Sequence, residues 1–150
     1  MGRTIAFATL VAGTLDILYA ALLSLYFGRS PADMLRYVAS GPFPSATEMG
    51  PAGAILGLVV HFTLMAIMAA AFVAAARNWP MLTTKPIQWG VIYGLITYVV
   101  MNWIVVPLRF DAPLPPKPLS IATQLFAHIV LVGIPIALVT ARTLRRPALG

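Results

Sequence analysis

Across 150 residues, 60% of side chains are hydrophobic and only 9% charged, where soluble domains carry about 45–50% and about 25%. A chain this size cannot hide that much apolar surface in a core of its own, so lipid must cover part of it. The formal charge of +6 does not mark a nucleic-acid binder, because Lys and Arg stand at the ends of long apolar runs rather than on one exposed face.

The absence of cysteine excludes disulfides, thiolate metal sites and covalent haem attachment. The first apolar run, Ile5 to Phe27, is broken only by Asp16 and a few small polar residues. It suits a spanning helix of about 20 residues better than the apolar region of about 7–15 residues in a cleaved signal. Arg3 and this run therefore read as a retained anchor. Residues 28–51 form a polar, Pro/Gly-rich connection containing Gly41-Pro42-Phe43-Pro44. Within it, Ser30-Pro31-Ala32-Asp33 offers an N-cap, a proline at the first helical position and an acid at the third. Met34, Leu35 and Val38 then share a face, which fits either a short helix at the membrane surface or a plain surface turn.

The second run is Ala52 to Ala76 and the third Ile87 to about Val106, with Trp79 and Trp89 bracketing the short link between them. Pro107 is expected to close the third run. The Pro-rich link Asp111 to Pro118 leads to Ser120, a good N-cap for a fourth run, Ile121 to Thr140. Pro135 is expected to kink that helix by removing a backbone donor. The fold class is all-α: a polytopic membrane protein, one domain over residues 1–150, with four transmembrane helices in a compact antiparallel bundle. Its partner is the lipid bilayer, with room for a homodimer or a place in a larger membrane complex.

Orientation follows from the cations. Arg3, Arg77, Lys85, Arg142, Arg145 and Arg146 fall at one end, and Arg29, Arg36, Arg109 and Lys117 at the other. Six against four favours the first group, with both termini, on the cytoplasmic side.

Small residues let membrane helices approach closely. Gly53 with Gly57, Gly90 with Gly94, Ala8 with Ala12, and Gly133 with Ala137 and Ala141 supply such spacings in every span. The same faces carry polar groups. Gly53, Gly57 and His61 align with Met65 and Met68; Gly90 and Gly94 align with Tyr98 and Asn102; Gln124 precedes His128 by one turn; Thr9, Ala12 and Ala20 flank Asp16. An ionisable group at bilayer depth costs about 2.5–3.5 kcal/mol on insertion scales, so it turns to the bundle interior. At about 1.5 Å per residue both histidines lie roughly 12–14 Å below the outer boundary, with Asp16 near the midplane. Asp16, His61, Asn102 and His128 can therefore meet in one polar layer, supported by Tyr98 and Gln124.

Four readings of that layer are open. It can be a hydrogen-bonded lock holding the bundle in register, as in a structural or accessory subunit. His61 and His128 can be axial ligands of a b-type haem. Asp16 can serve a proton-coupled small-molecule carrier, a layout that resembles, in topology alone, the small multidrug exporters built around a first-span acid. His61 and His128, with Asp16, can hold a divalent metal. No phosphate loop, nucleophile elbow or His-Glu-x-x-His pattern is present, and Ser24 and Ser40 have no evident catalytic partners, so an enzyme is disfavoured.

From the second span onward, one series of residues resembles the YagU-like family of small bacterial inner-membrane proteins. It comprises His61, an Ala-rich span, Pro80, Trp89-Gly90, Gly94, Asn102, Pro107, a Pro-rich loop, His128 and the basic tail Arg142 to Arg146. The resemblance covers about residues 53–146 and implies a multi-span bacterial inner-membrane protein with a link to acid tolerance. Two features depart from it: Asn102 stands where the family pattern has a histidine, and the first span with Asp16 does not align.

Overall fold

The computed structural model describes residues 1–145, all helices, turns and loops with no strand among them. Helices α1 (Gly2–Tyr26), α3 (Gly50–Asn78), α4 (Pro86–Phe110) and α5 (Pro118–Leu144) are each long and apolar enough to span a membrane, with mean hydropathies of 1.9, 2.3, 1.9 and 2.0. Between the first two lies a short helix, α2 (Pro31–Ser40). The basic residue Arg146 lies outside the described residues.

The chain's punctuation explains these limits. Gly28 turns the chain out of α1 at φ +68°, a conformation glycine adopts without a side-chain penalty. Its N–H and that of Arg29 return to the carbonyls of Leu25 and Ser24 at 2.9 and 2.8 Å, closing the helix end. Ser30 then caps α2 by accepting from the Ala32 N–H at 3.2 Å, with Pro31 at the first position. Asp111, left-handed at φ 48°, ends α4.

The proline expected to end the third span does not end it: the helix runs through Pro107 to Phe110. At both prolines inside spans the preceding helix is widened into π turns, Val100–Val105 before Pro107 and Ala127–Gly133 before Pro135. A proline lacks an N–H and presses on the preceding turn, and a local π adjustment relieves both. Ser120 is likewise not the cap of the fourth span, because Pro118 opens the helix two residues earlier.

The four spans form a bundle. α1 packs on α3, α4 packs on α5, and α1 packs on α5. α3 also touches α5, and α4 reaches α3 through Tyr93, which donates to the Met68 carbonyl at 2.7 Å and whose ring lies 5.0 Å from that of Phe72. Ala8, Ala12, Ala69, Phe72, Val132, Ile136 and Ala137 fill the centre.

Among the spans, backbones approach directly between α4 and α5. A methyl on Gly94 would stand 2.6 Å from the Ile129 Cα, and one on Gly133 would stand 2.7 Å from the Gly94 nitrogen. Gly90 meets the backbone of Ile134 in the same way. The second glycine pair is used differently. Gly53 is covered by Arg36 and the Ala46 carbonyl, and Gly57 by the backbone of Leu35. That face therefore holds α2 and the turn after it rather than another span. α2 is fixed from its far end too: Arg109 of α4 donates to the carbonyls of Gly41 and, at 3.0 Å, Ser40. Phe110 stacks on Tyr37 at 4.5 Å. These contacts exist because α4 continues past Pro107.

Gly94→Ala must push two backbones apart and should destabilise the bundle by about 1–3 kcal/mol. Gly2→Ala, whose methyl meets nothing within 4 Å, should change stability by less than about 0.5 kcal/mol. Unfolding titrations in mixed micelles compare the two.

Candidate functional site

The four polar residues come together two by two, each couple across one tightly packed pair of helices. Across α1 and α3, His61 donates from Nε2 to the Gly13 carbonyl at 2.9 Å, and its Nδ1 lies 3.9 Å from the Asp16 carboxylate. Across α4 and α5, His128 has Thr97 on Nδ1 and Asn102 on Nε2, both at 3.3 Å.

The second couple is fully hydrogen-bonded. The Thr97 hydroxyl donates to the Gly94 carbonyl at 3.0 Å, so its oxygen is left to accept from His128 Nδ1–H. Nε2 is then the acceptor, and the Asn102 amide donates to it. The same amide nitrogen lies 3.3 Å from the Tyr98 carbonyl. Tyr98 sits edge-on to His128 at 6.1 Å and accepts from the Trp103 indole at 3.2 Å. Both His128 nitrogens thus have partners, and the residue is 8% exposed. Asn102 also borders a cavity of about 240 Å³ beneath Pro113 and Pro116. Both widened turns fall here, one carrying Asn102 and the other His128.

The first couple is open. Asp16 lines a cavity of about 220 Å³ with Tyr19, Ser24, Arg29, Met34 and Gln124. The cavity lies between α1 and the start of α5, beneath α2. Tyr19 spans it at one side, donating to the Thr123 carbonyl at 3.5 Å and packing on Phe126 at 5.2 Å. Gln124, grouped with His128 by its spacing, belongs instead to the cavity of Asp16. No hydrogen-bond donor lies on the Asp16 carboxylate among the described residues; His61 is its nearest cation-forming neighbour.

Two residues that sequence reasoning passed over complete the arrangement. Gly13 supplies the carbonyl for His61, and the Phe62 ring occupies the space its side chain would need. Thr97 fixes the tautomer of His128. One weak signal was available for Gly13: Thr9, Gly13, Asp16 and Ala20 follow helical spacing on one face. The Thr9 hydroxyl, two turns from Asp16, is buried without a partner.

His61 and His128 spend their Nε2 atoms on partners in different helix pairs. Among the described residues no three His, Asp or Glu side chains gather closely enough to hold an ion, so His61, His128 and Asp16 do not form a three-ligand metal site. Compared with known proteins, the chain matches no family model, and no curated protein or solved structure matches it.

A double-mutant cycle separates the couples. Asn102→Leu with His128→Ala should show a coupling of about 0.6 kcal/mol, and at most about 1.7 kcal/mol, the range of interhelical hydrogen bonds in lipid. His61→Ala with His128→Ala should be additive within about 0.3–0.5 kcal/mol. Strong coupling between the two histidines would show a shared site.

Proposed function

We propose that this chain is a small membrane carrier in which the Asp16–His61 couple binds a proton and a small cationic or polar solute in alternation. One observation carries the reading: a carboxylate at membrane depth, without a hydrogen-bond donor among the described residues, lines a cavity of mixed polar and apolar walls beside a histidine 3.9 Å away. An ionisable residue within a span is costly and marks a pathway by default. Asp16 can take a proton, share one with His61, or face a cation in the cavity. Protonation removes the charge that attracts a cation, so the two ligands compete for one carboxylate. The buried Thr9 hydroxyl continues the polar face of α1 toward the end that carries the termini.

A structural or accessory subunit is the second reading, favoured by the fully hydrogen-bonded network around His128. The positive-inside count supports cytoplasmic termini; a bacterial inner membrane, kinship with YagU-like proteins and dimer formation belong to the same proposal.

The test uses the purified protein in proteoliposomes, with radiolabelled tetramethylammonium as probe. Flux driven by a pH gradient is expected in the wild type and in His128→Ala, and is expected to vanish in Asp16→Asn. Equal flux in Asp16→Asn sinks the carrier; no flux in the wild type under either direction of gradient passes the protein to the structural reading.

A further inference from the structure

At the end of the bundle that carries both termini, α1 and α5 leave a second cavity between them. It measures about 400 Å³ and is lined by Arg3, Phe7, Val139, Arg142 and Thr143. Arg3 and Phe7 are one turn apart on α1, and Val139 and Arg142 are about one turn apart on α5. In both helices the arginine lies nearer the end of the span and the apolar side chain nearer the membrane centre. The cavity is therefore cationic at its rim and apolar below. Phe7 is 58% exposed on a spanning helix, so its ring borders hydrocarbon.

Charge at this end is of one sign. Arg3, Arg77, Lys85, Arg142 and Arg145 lie there, whereas the chain's acids are Asp16 inside the span and Asp33, Glu48 and Asp111 toward the other end. Arg77 and Arg145 are engaged, with the Met1 sulfur at 3.1 Å and the Thr83 carbonyl. No carboxylate of the described residues pairs with Arg3 or Arg142.

We propose that this cavity binds the headgroup of an anionic phospholipid, with the phosphate between Arg3 and Arg142 and the first acyl carbons against Phe7 and Val139. A basic pocket between spans, at the level where headgroups lie, matches that ligand in charge and in depth. A free phosphate would use the guanidinium rim alone and leave the apolar wall without a role.

Native mass spectrometry of the full chain, released from detergent with added phosphatidylglycerol or phosphatidylcholine, tests this. The wild type should retain phosphatidylglycerol over phosphatidylcholine. Arg3→Gln with Arg142→Gln should weaken that retention by about fivefold per arginine, so roughly twenty-five-fold together. Arg3→Lys with Arg142→Lys should keep most of it, and Lys85→Gln, on the same end, should change it by about twofold at most. Equal retention of the two lipids by the wild type would overturn the proposal. So would unchanged retention in the double glutamine variant, a loss in the lysine variant as large as in the glutamine one, or displacement of phosphatidylglycerol by equimolar inorganic phosphate. Transport of tetramethylammonium is read separately, so failure here leaves the carrier reading untouched.

Discussion

Backbone approach without side chains between them, at Gly90, Gly94 and Gly133, is the contact on which half of the molecule depends. Lipid supplies no hydrophobic drive to bring helices together, because its tails are as apolar as leucine. Dispersion contacts and short polar bonds must do it, and both need proximity. With Gly94 against the backbone of His128 and Ile129, the Thr97 and Asn102 side chains of α4 come within reach of the imidazole. A methyl at Gly94 would separate α4 from α5 and lengthen bonds already at 3.3 Å. The glycines and the histidine network are one device.

The same economy governs the other half, with a different outcome. Gly13 lets the Phe62 ring in, and that brings His61 close enough to use the Gly13 carbonyl. The carbonyl already serves its own helix, so the histidine adds a second bond to an oxygen with a second lone pair. Its other nitrogen is left facing Asp16 at 3.9 Å, beyond a direct hydrogen bond. Both couples border a cavity, but one ends with its hydrogen bonds satisfied and the other ends one bond short. That difference, rather than the presence of histidines, separates a lock from a site that can exchange a ligand.

The spans were legible because an apolar run of about 20 residues has few other physical destinies. The N-cap at Ser30 was legible because its hydroxyl, Pro31 and the helix that follows are adjacent in sequence. What single-residue rules missed were cases where a neighbour changes the local answer. Pro107 ends a helix only if the turn before it cannot widen, and here it does, carrying Arg109 and Phe110 out to hold α2. The Gly53–Gly57 stripe announced a close partner but not which one, since a helix backbone from a connection fits it as well as one from a span. Gln124 could be placed on a face but not assigned to His128 or Asp16, because that depends on which neighbour the face meets. Thr97 and Gly13 gave little signal, since threonine and glycine are ordinary residues of membrane helices.

Charge placement gives the bundle a further asymmetry that packing alone does not require. At the loop end cations are used internally: Arg36 pairs with Asp33 and reaches the Gly50 carbonyl, Arg109 caps α2, and Arg29 borders the Asp16 cavity. These contacts hold the connection between α1 and α3 over the spans, and with it the roof that Met34 contributes to that cavity. At the termini end no Asp or Glu of the described residues pairs with the arginines. An acidic membrane surface attracts such cations within about one Debye length. The cations of one end thus help to shape the cavity around Asp16, while those of the other stand where such a surface would meet them.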